Sequence, residues 1–153
     1  MVEFALVTIP ILMLVISIFQ VSLALSAYES MAYAFREGLR YASTKGPNCS
    51  NPGNSCAVTL GAVAQRVSSF AVGINQAQLN VTFTSSAGST SCTPLSTCTS
   101  STAVWPPRSL VRGDYIAISG NYPYAITFVP FFANQAIISS GALSAKAQVN
   151  VLF

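Results

Sequence analysis

Residues 1–47 read MVEFALVTIPILMLVISIFQVSLALSAYESMAYAFREGLRYASTKGP, and the hydropathy of this stretch changes character halfway along. From Phe4 to Phe19 only Thr8, Pro10 and Ser17 interrupt an apolar run, and Glu3 is the one ionisable side chain before Tyr28. A run of this length can cross a hydrocarbon core of roughly 30 Å. A buried core helix can be as apolar, but 153 residues leave too little protein to cover one this long, so insertion in a membrane at some stage is the better reading. A secretory signal peptide fits less well. No basic region precedes the run, the run exceeds an ordinary signal core, and the helical pattern continues past it.

Beyond Ala27 the pattern becomes amphipathic. Tyr28, Met31, Phe35 and Leu39 recur at three- and four-residue steps, while Glu29, Arg36, Glu37 and Arg40 fall on other faces. Lys45 suits the negative end of a helix dipole, and Gly46-Pro47 supplies a stop. One uninterrupted helix of about 40 residues, on the order of 60 Å long, is predicted, with Pro10 as its kink.

The remaining sequence predicts a small domain. Residues 58–73 read as a short amphipathic helix with Leu60, Val63, Val67 and Phe70 on one face. Residues 78–84, 114–121 and 143–153 alternate as half-buried strands, and residues 85–102 read as a Ser/Thr/Gly loop. The aromatic segment Tyr122–Gln135 has no assignable period. The expected fold is α+β: a long N-terminal hydrophobic helix, a second short helix and a small antiparallel sheet. Residues 1–45 form an assembly helix in this reading, and residues 46–153 a globular domain with disulfide-bearing loops.

The four cysteines form two close pairs, Cys49 with Cys56 and Cys92 with Cys98, each in loop-like sequence. The spacings do not match a short zinc knuckle, and an exported chain meets an oxidising compartment, so disulfides are expected. Four cysteines allow three connectivities, of which the sequential one closes the shortest loops.

Composition limits the function. Hydrophobic residues make up 52% of the chain and charged residues 7%, too apolar a balance for an ordinary soluble domain. The net charge of +3 is too dilute to follow a phosphate backbone, so nucleic acid is not an expected partner. Histidine is absent, and Glu3, Glu29, Glu37 and Asp114 are the whole acidic inventory. No catalytic, metal or cofactor-binding residue is therefore assigned, and an enzyme is not expected. A hydrolase would have to pair a serine with Lys45 or Lys146.

Glu3 stands out because a carboxylate near the start of a membrane-like helix is costly in lipid or in a dry bundle unless it is paired. The functional reading is subunit register, with Glu3 meeting an α-amino group such as that on Met1 of an adjacent subunit. The plainer reading is a carboxylate at the membrane interface. Arg36, Glu37 and Arg40 offer inter-subunit salt bridges, against a solvated helical face whose internal pairs contribute a few tenths of a kcal/mol. Trp105-Pro106-Pro107 reads either as an exposed stacking element or as a loop packed on the core.

Residues 2–43, with the VEFALV start, the early proline and the patch Ala34-Phe35-Arg36-Glu37-Gly38-Leu39-Arg40-Tyr41-Ala42, resemble the N-terminal segment of the TadE family of the tight-adherence (Tad, or Flp) pili. The stretch VRGDYIAISGNYPYAITFVPFF near the C-terminus is also similar to the family's pattern. The resemblance implies a prepilin cut by a dedicated peptidase, held in the inner membrane and then passed by assembly machinery into a thin extracellular pilus used in attachment. Glu3 departs from the usual fifth mature position of the pilin glutamate, which implies an unusual cleavage register or a few further residues ahead of Met1. The function expected is a structural subunit that polymerises through its N-terminal helix. The alternatives are a minor pseudopilin at the pilus tip or base, the usual role in the family, and a membrane-tethered binding module.

Overall fold

The computed structural model of the chain describes residues 2–44, 58–107, 109–111, 113–124 and 141–151, with side chains in the first helix from Val7 onward. Met1, the Glu3 side chain, the Lys45-Gly46-Pro47 stop, the Cys49 and Cys56 pair and the aromatic segment beyond Tyr124 lie outside the described residues.

Helix α1, Val2–Thr44, runs for 43 residues with Pro10 inside it, which corresponds to about 65 Å at ~1.5 Å per residue. Its second half enters the domain through Met31, Ala34, Phe35, Leu39 and Ala42, all buried. These positions repeat every three or four residues and so form one stripe. Burying side chains the size of Met31, Phe35 and Leu39 stabilises the fold by about 1.5–3 kcal/mol each. Tyr28 is exposed, contrary to its place in the predicted stripe, because the described cover over α1 begins one turn later, at Met31.

Helix α2, Leu60–Phe70, starts at Thr59, whose side chain accepts a hydrogen bond from the Ala62 N–H at 3.2 Å. This satisfies one of the amide donors that a helix start leaves free. Leu60, Val63, Ala64 and Val67 are buried in the common core, where α2 packs on α1. Gly38 sets how closely α1 meets this face, since a Cβ there would lie 2.5 Å from Val67 Cγ2 and 3.3 Å from Ile118 Cδ1.

The sheet has four antiparallel strands in the order β2-β1-β3-β4: β1 Asn80–Ser85, β2 Gly88–Cys92, β3 Tyr115–Tyr124 and β4 Gly141–Asn150. Val81, Phe83, Ile116 and Ile118 point into the core, as their alternation predicts. In β4, Ala145 is buried while Lys146, Gln148 and Asn150 are exposed. The α+β class is therefore the one expected, with a strand added.

That strand, β2, lies where a loop was expected. Its sequence, GSTSC, has no apolar alternation because it is an edge strand exposed at every position except Cys92. Pairing supplies what the pattern lacks: Ser85 and Gly88 close a hairpin, and β1 holds five residue pairs in register. Cys92 at the end of β2 is joined to Cys98 of a short 3-10 helix, Leu95–Cys98, with Cα atoms 5.7 Å apart. Leu95 is fully buried between them, and its N–H donates to the Leu79 carbonyl at 2.7 Å. Trp105 is a core residue, 4% exposed, with its ring edge-on to Phe83 at 5.2 Å. Of the two readings of Trp105-Pro106-Pro107, the packed loop is the one observed.

Candidate assembly surface

The first half of α1 stands outside the core. Eleven large apolar side chains between Val7 and Leu25 are each at least 46% exposed, and they occur on every side of the helix. Burial of such side chains is worth ~1.5–3 kcal/mol each, so even half-exposed they would cost on the order of 10 kcal/mol in water. That equals the whole stability of an ordinary domain, about 5–15 kcal/mol. The segment therefore requires lipid or other protein around it. It is long and apolar enough to cross a membrane.

Two of its hydroxyls are accommodated inside the helix. Ser17 Oγ donates to the Met13 carbonyl at 2.7 Å, and Ser22 Oγ donates to the Ile18 carbonyl at 2.8 Å. Each hydroxyl proton thus has an acceptor four residues back and needs no water, which keeps serine inexpensive in lipid or in a dry helix bundle. Pro10, inside α1, has no N–H to donate to the carbonyl four residues before it.

Further along, the patch from Ala34 to Ala42 separates into two faces. Ala34, Phe35, Gly38, Leu39 and Ala42 point inward, so the small residues of this motif serve close packing. Gly120 on β3 meets the same stripe from the sheet, where a Cβ would fall 2.5 Å from Phe35 Cζ and 2.9 Å from the Asn80 carbonyl oxygen. The alternation of β3 does not by itself reveal this role of Gly120. The only signal for it is a glycine interrupting an alternating strand, which often marks a close approach.

On the outer face, Arg40 Nη1 lies 3.7 Å from Glu37 Oε1, with the Arg40 side chain 76% exposed. A contact that long and that exposed contributes no more than a few tenths of a kcal/mol to the monomer. Arg36 is exposed, and the Arg66 guanidinium of α2 sits 4.7 Å above the Phe70 ring. Glu37, Arg40, Tyr41, Thr44 and Arg66 surround an open, polar hollow of about 330 Å³. Among the described residues no group of three or more His, Cys, Asp or Glu side chains comes together.

Residues 1–40 match the family model described as TadE-like protein. No curated protein matches the chain, and no solved structure does. The matched residues cover the exposed apolar half of α1 and run through the Arg36-Glu37-Gly38 patch to Arg40, so over this segment, about a quarter of its length, the chain is similar to TadE-like proteins.

Proposed function

We propose that the chain is a structural subunit of a Tad-type pilus, held in the inner membrane by the apolar half of α1 and then polymerised into an extracellular filament through that same half. The observation that carries this reading is the continuity of α1. A single 43-residue helix has one half locked in the domain core and the other half apolar on every side and uncovered. A flexible tether would suffice for anchoring alone, whereas a rigid continuous helix fixes the domain's position relative to the membrane segment, and a regular filament requires that.

In lipid, the apolar side chains are solvated by acyl chains. In the filament they exchange lipid for neighbouring helices, so shape and polar pairing decide the packing where hydrophobicity gives little preference. Glu3 provides such a polar group, meeting a cationic group of the next subunit, such as an α-amino group. A dedicated peptidase and the pilus assembly machinery are the partners that deliver the subunit, and the role is non-catalytic. The domain then faces outward, with attachment as the service of the pilus.

The test is electron cryo-microscopy of filaments sheared from cells. Density for this chain repeating along the fibre, with α1 at its axis, supports the major-subunit reading. The TadE-like match at residues 1–40 favours a second reading, a minor pseudopilin, which predicts density confined to a tip or base. A chain recovered only from the membrane fraction as a monomer would overturn both and leave a tethered binding module.

A further inference from the structure

We infer that the end of the domain nearest the apolar half of α1 is a seat for the headgroup layer of a phospholipid bilayer, built from Val72, Tyr122 and Tyr124 beside α1. This rests on the proposed insertion of α1 in the membrane and adds the surface on which the domain lies before assembly.

The level of this surface follows from length. The apolar run from Phe4 to Leu25 is roughly 22 residues, about 33 Å of helix at ~1.5 Å per residue, against a hydrocarbon core of about 30 Å. With that run in the core, residues 26–30 of α1 fall at the lipid–water boundary. There the domain closes onto the helix. Leu23, Ser26 and Ala27 face Val72, Gly73, Tyr122 and Tyr124 across a groove of about 320 Å³. Ser30 Oγ donates to the Val72 carbonyl at 2.8 Å, which ties the turn after α2 to α1 at this height.

The chemistry at this level matches a headgroup layer. Val72 is 76% exposed on a turn that Gly73 permits with φ +76°. An apolar side chain that protrudes so far from a tethered turn contributes nothing to the core. Tyr122 and Tyr124, with the exposed Tyr28 that follows groove residue Ala27 on α1, have an apolar ring and a polar tip, the combination that favours membrane interfaces. None of the seven groove residues is charged; Glu29 on α1 adds one exposed carboxylate at this level, and Arg36, Glu37, Arg40 and Arg66 lie further along, around the second half of α1. The groove is thus uncharged and aromatic at the boundary, and the cluster of arginines lies away from it.

The experiment uses the full chain reconstituted in phosphatidylcholine vesicles whose acyl chains are brominated near either the glycerol end or the methyl end. Three single variants, Val72→Trp, Leu14→Trp and Arg40→Trp, each add one exposed indole, and buried Trp105 supplies the background measured in the unsubstituted chain. Each replaced side chain is exposed, so the fold survives, and circular dichroism checks this. Val72→Trp is expected to lose most of its added emission to the glycerol-end bromines and little to the methyl-end ones. Leu14→Trp is expected to lose most of its emission to the methyl-end bromines, and Arg40→Trp to be unaffected by both. Quenching of Leu14→Trp without quenching of Val72→Trp would overturn the seat while leaving insertion intact. A blue-shifted, unquenched Val72→Trp would also overturn it, assigning the groove to a second copy of the chain. Failure to quench Leu14→Trp would remove membrane insertion itself.

Discussion

The substitution Gly120→Ala tests how the protruding helix is held by the domain. The added methyl carbon would sit 2.5 Å from Phe35 Cζ and 2.9 Å from the Asn80 carbonyl oxygen. Favourable carbon–carbon contacts lie near 3.5–4.0 Å, so the ring must retreat by about 1 Å. Phe35 is fully buried on α1, and Asn80 belongs to the paired strand β1, so neither neighbour is the free end of a flexible side chain. Overpacking of this kind costs about 1–3 kcal/mol, offset by about 0.5–1 kcal/mol because alanine loses less backbone freedom than glycine on folding. The net expectation is a loss of about 1–2 kcal/mol, which for a domain near 100 residues lowers Tm by roughly 4–16 °C. Unfolding in mild detergent, followed by the fluorescence of Trp105, measures it. Phe35→Leu frees the space that the methyl needs, so the double variant should be more stable than the sum of the single effects implies, with a coupling of about 0.5–2 kcal/mol. A Gly120→Ala chain as stable as the unsubstituted one, with no coupling to Phe35→Leu, would refute this account of the helix–sheet contact.

Three further outcomes are expected. Removing the Cys92–Cys98 bridge by Cys92→Ala with Cys98→Ala should cost about 2 kcal/mol or more, because a loop of about seven residues regains its freedom in the unfolded chain and both positions are buried; denaturant unfolding against the unsubstituted chain reads this, and equal midpoints would contradict it. Leu14→Asp puts a carboxylate in the middle of the apolar segment, about 2.5–3.5 kcal/mol unfavourable at a helix centre, so the protein should shift from the alkali-resistant membrane fraction to the soluble one, and an unchanged distribution would count against insertion. Glu3→Gln should leave the thermal unfolding of the domain unaltered, because the part of α1 in the core begins at Met31, while reducing the chain recovered in sheared filaments; equal recovery would remove Glu3 from the register.

What the sequence disclosed, and what it concealed, follows from the range of the interactions involved. The apolar run and the stripe through Met31, Phe35 and Leu39 are periodic within one element, so they can be read without knowing what lies opposite. The same holds for the alternation of Ile116 and Ile118 in β3. Gly38 and Gly120 are different, because their meaning depends on which side chain approaches from another element. Strand β2 leaves no pattern in the sequence because its order comes from pairing with β1 rather than from its own polar residues. Tyr28 has the spacing of a core residue and lies just beyond the domain, since periodicity cannot indicate where cover along a helix stops.

The point on α1 where cover begins also explains why one helix is divided between two solvents. From Val7 to Leu25 the helix presents apolar side chains on all sides, and from Met31 onward it presents a stripe and a charged back. The first pattern is stable only in lipid or among other helices, and the second only against a domain in water. Joined without a break, they make the domain a rigid marker of where the apolar half must end. As the proposed filament subunit, the chain would leave the membrane carrying its own measure of depth. In such a filament each apolar half would slide against its neighbours only until domain meets domain. On this reasoning, the axial step between subunits depends on the folded domain and the charged back of α1 as much as on Glu3. Changes at Arg36 or Arg40 should then alter the spacing of the filament without altering the stability of the monomer.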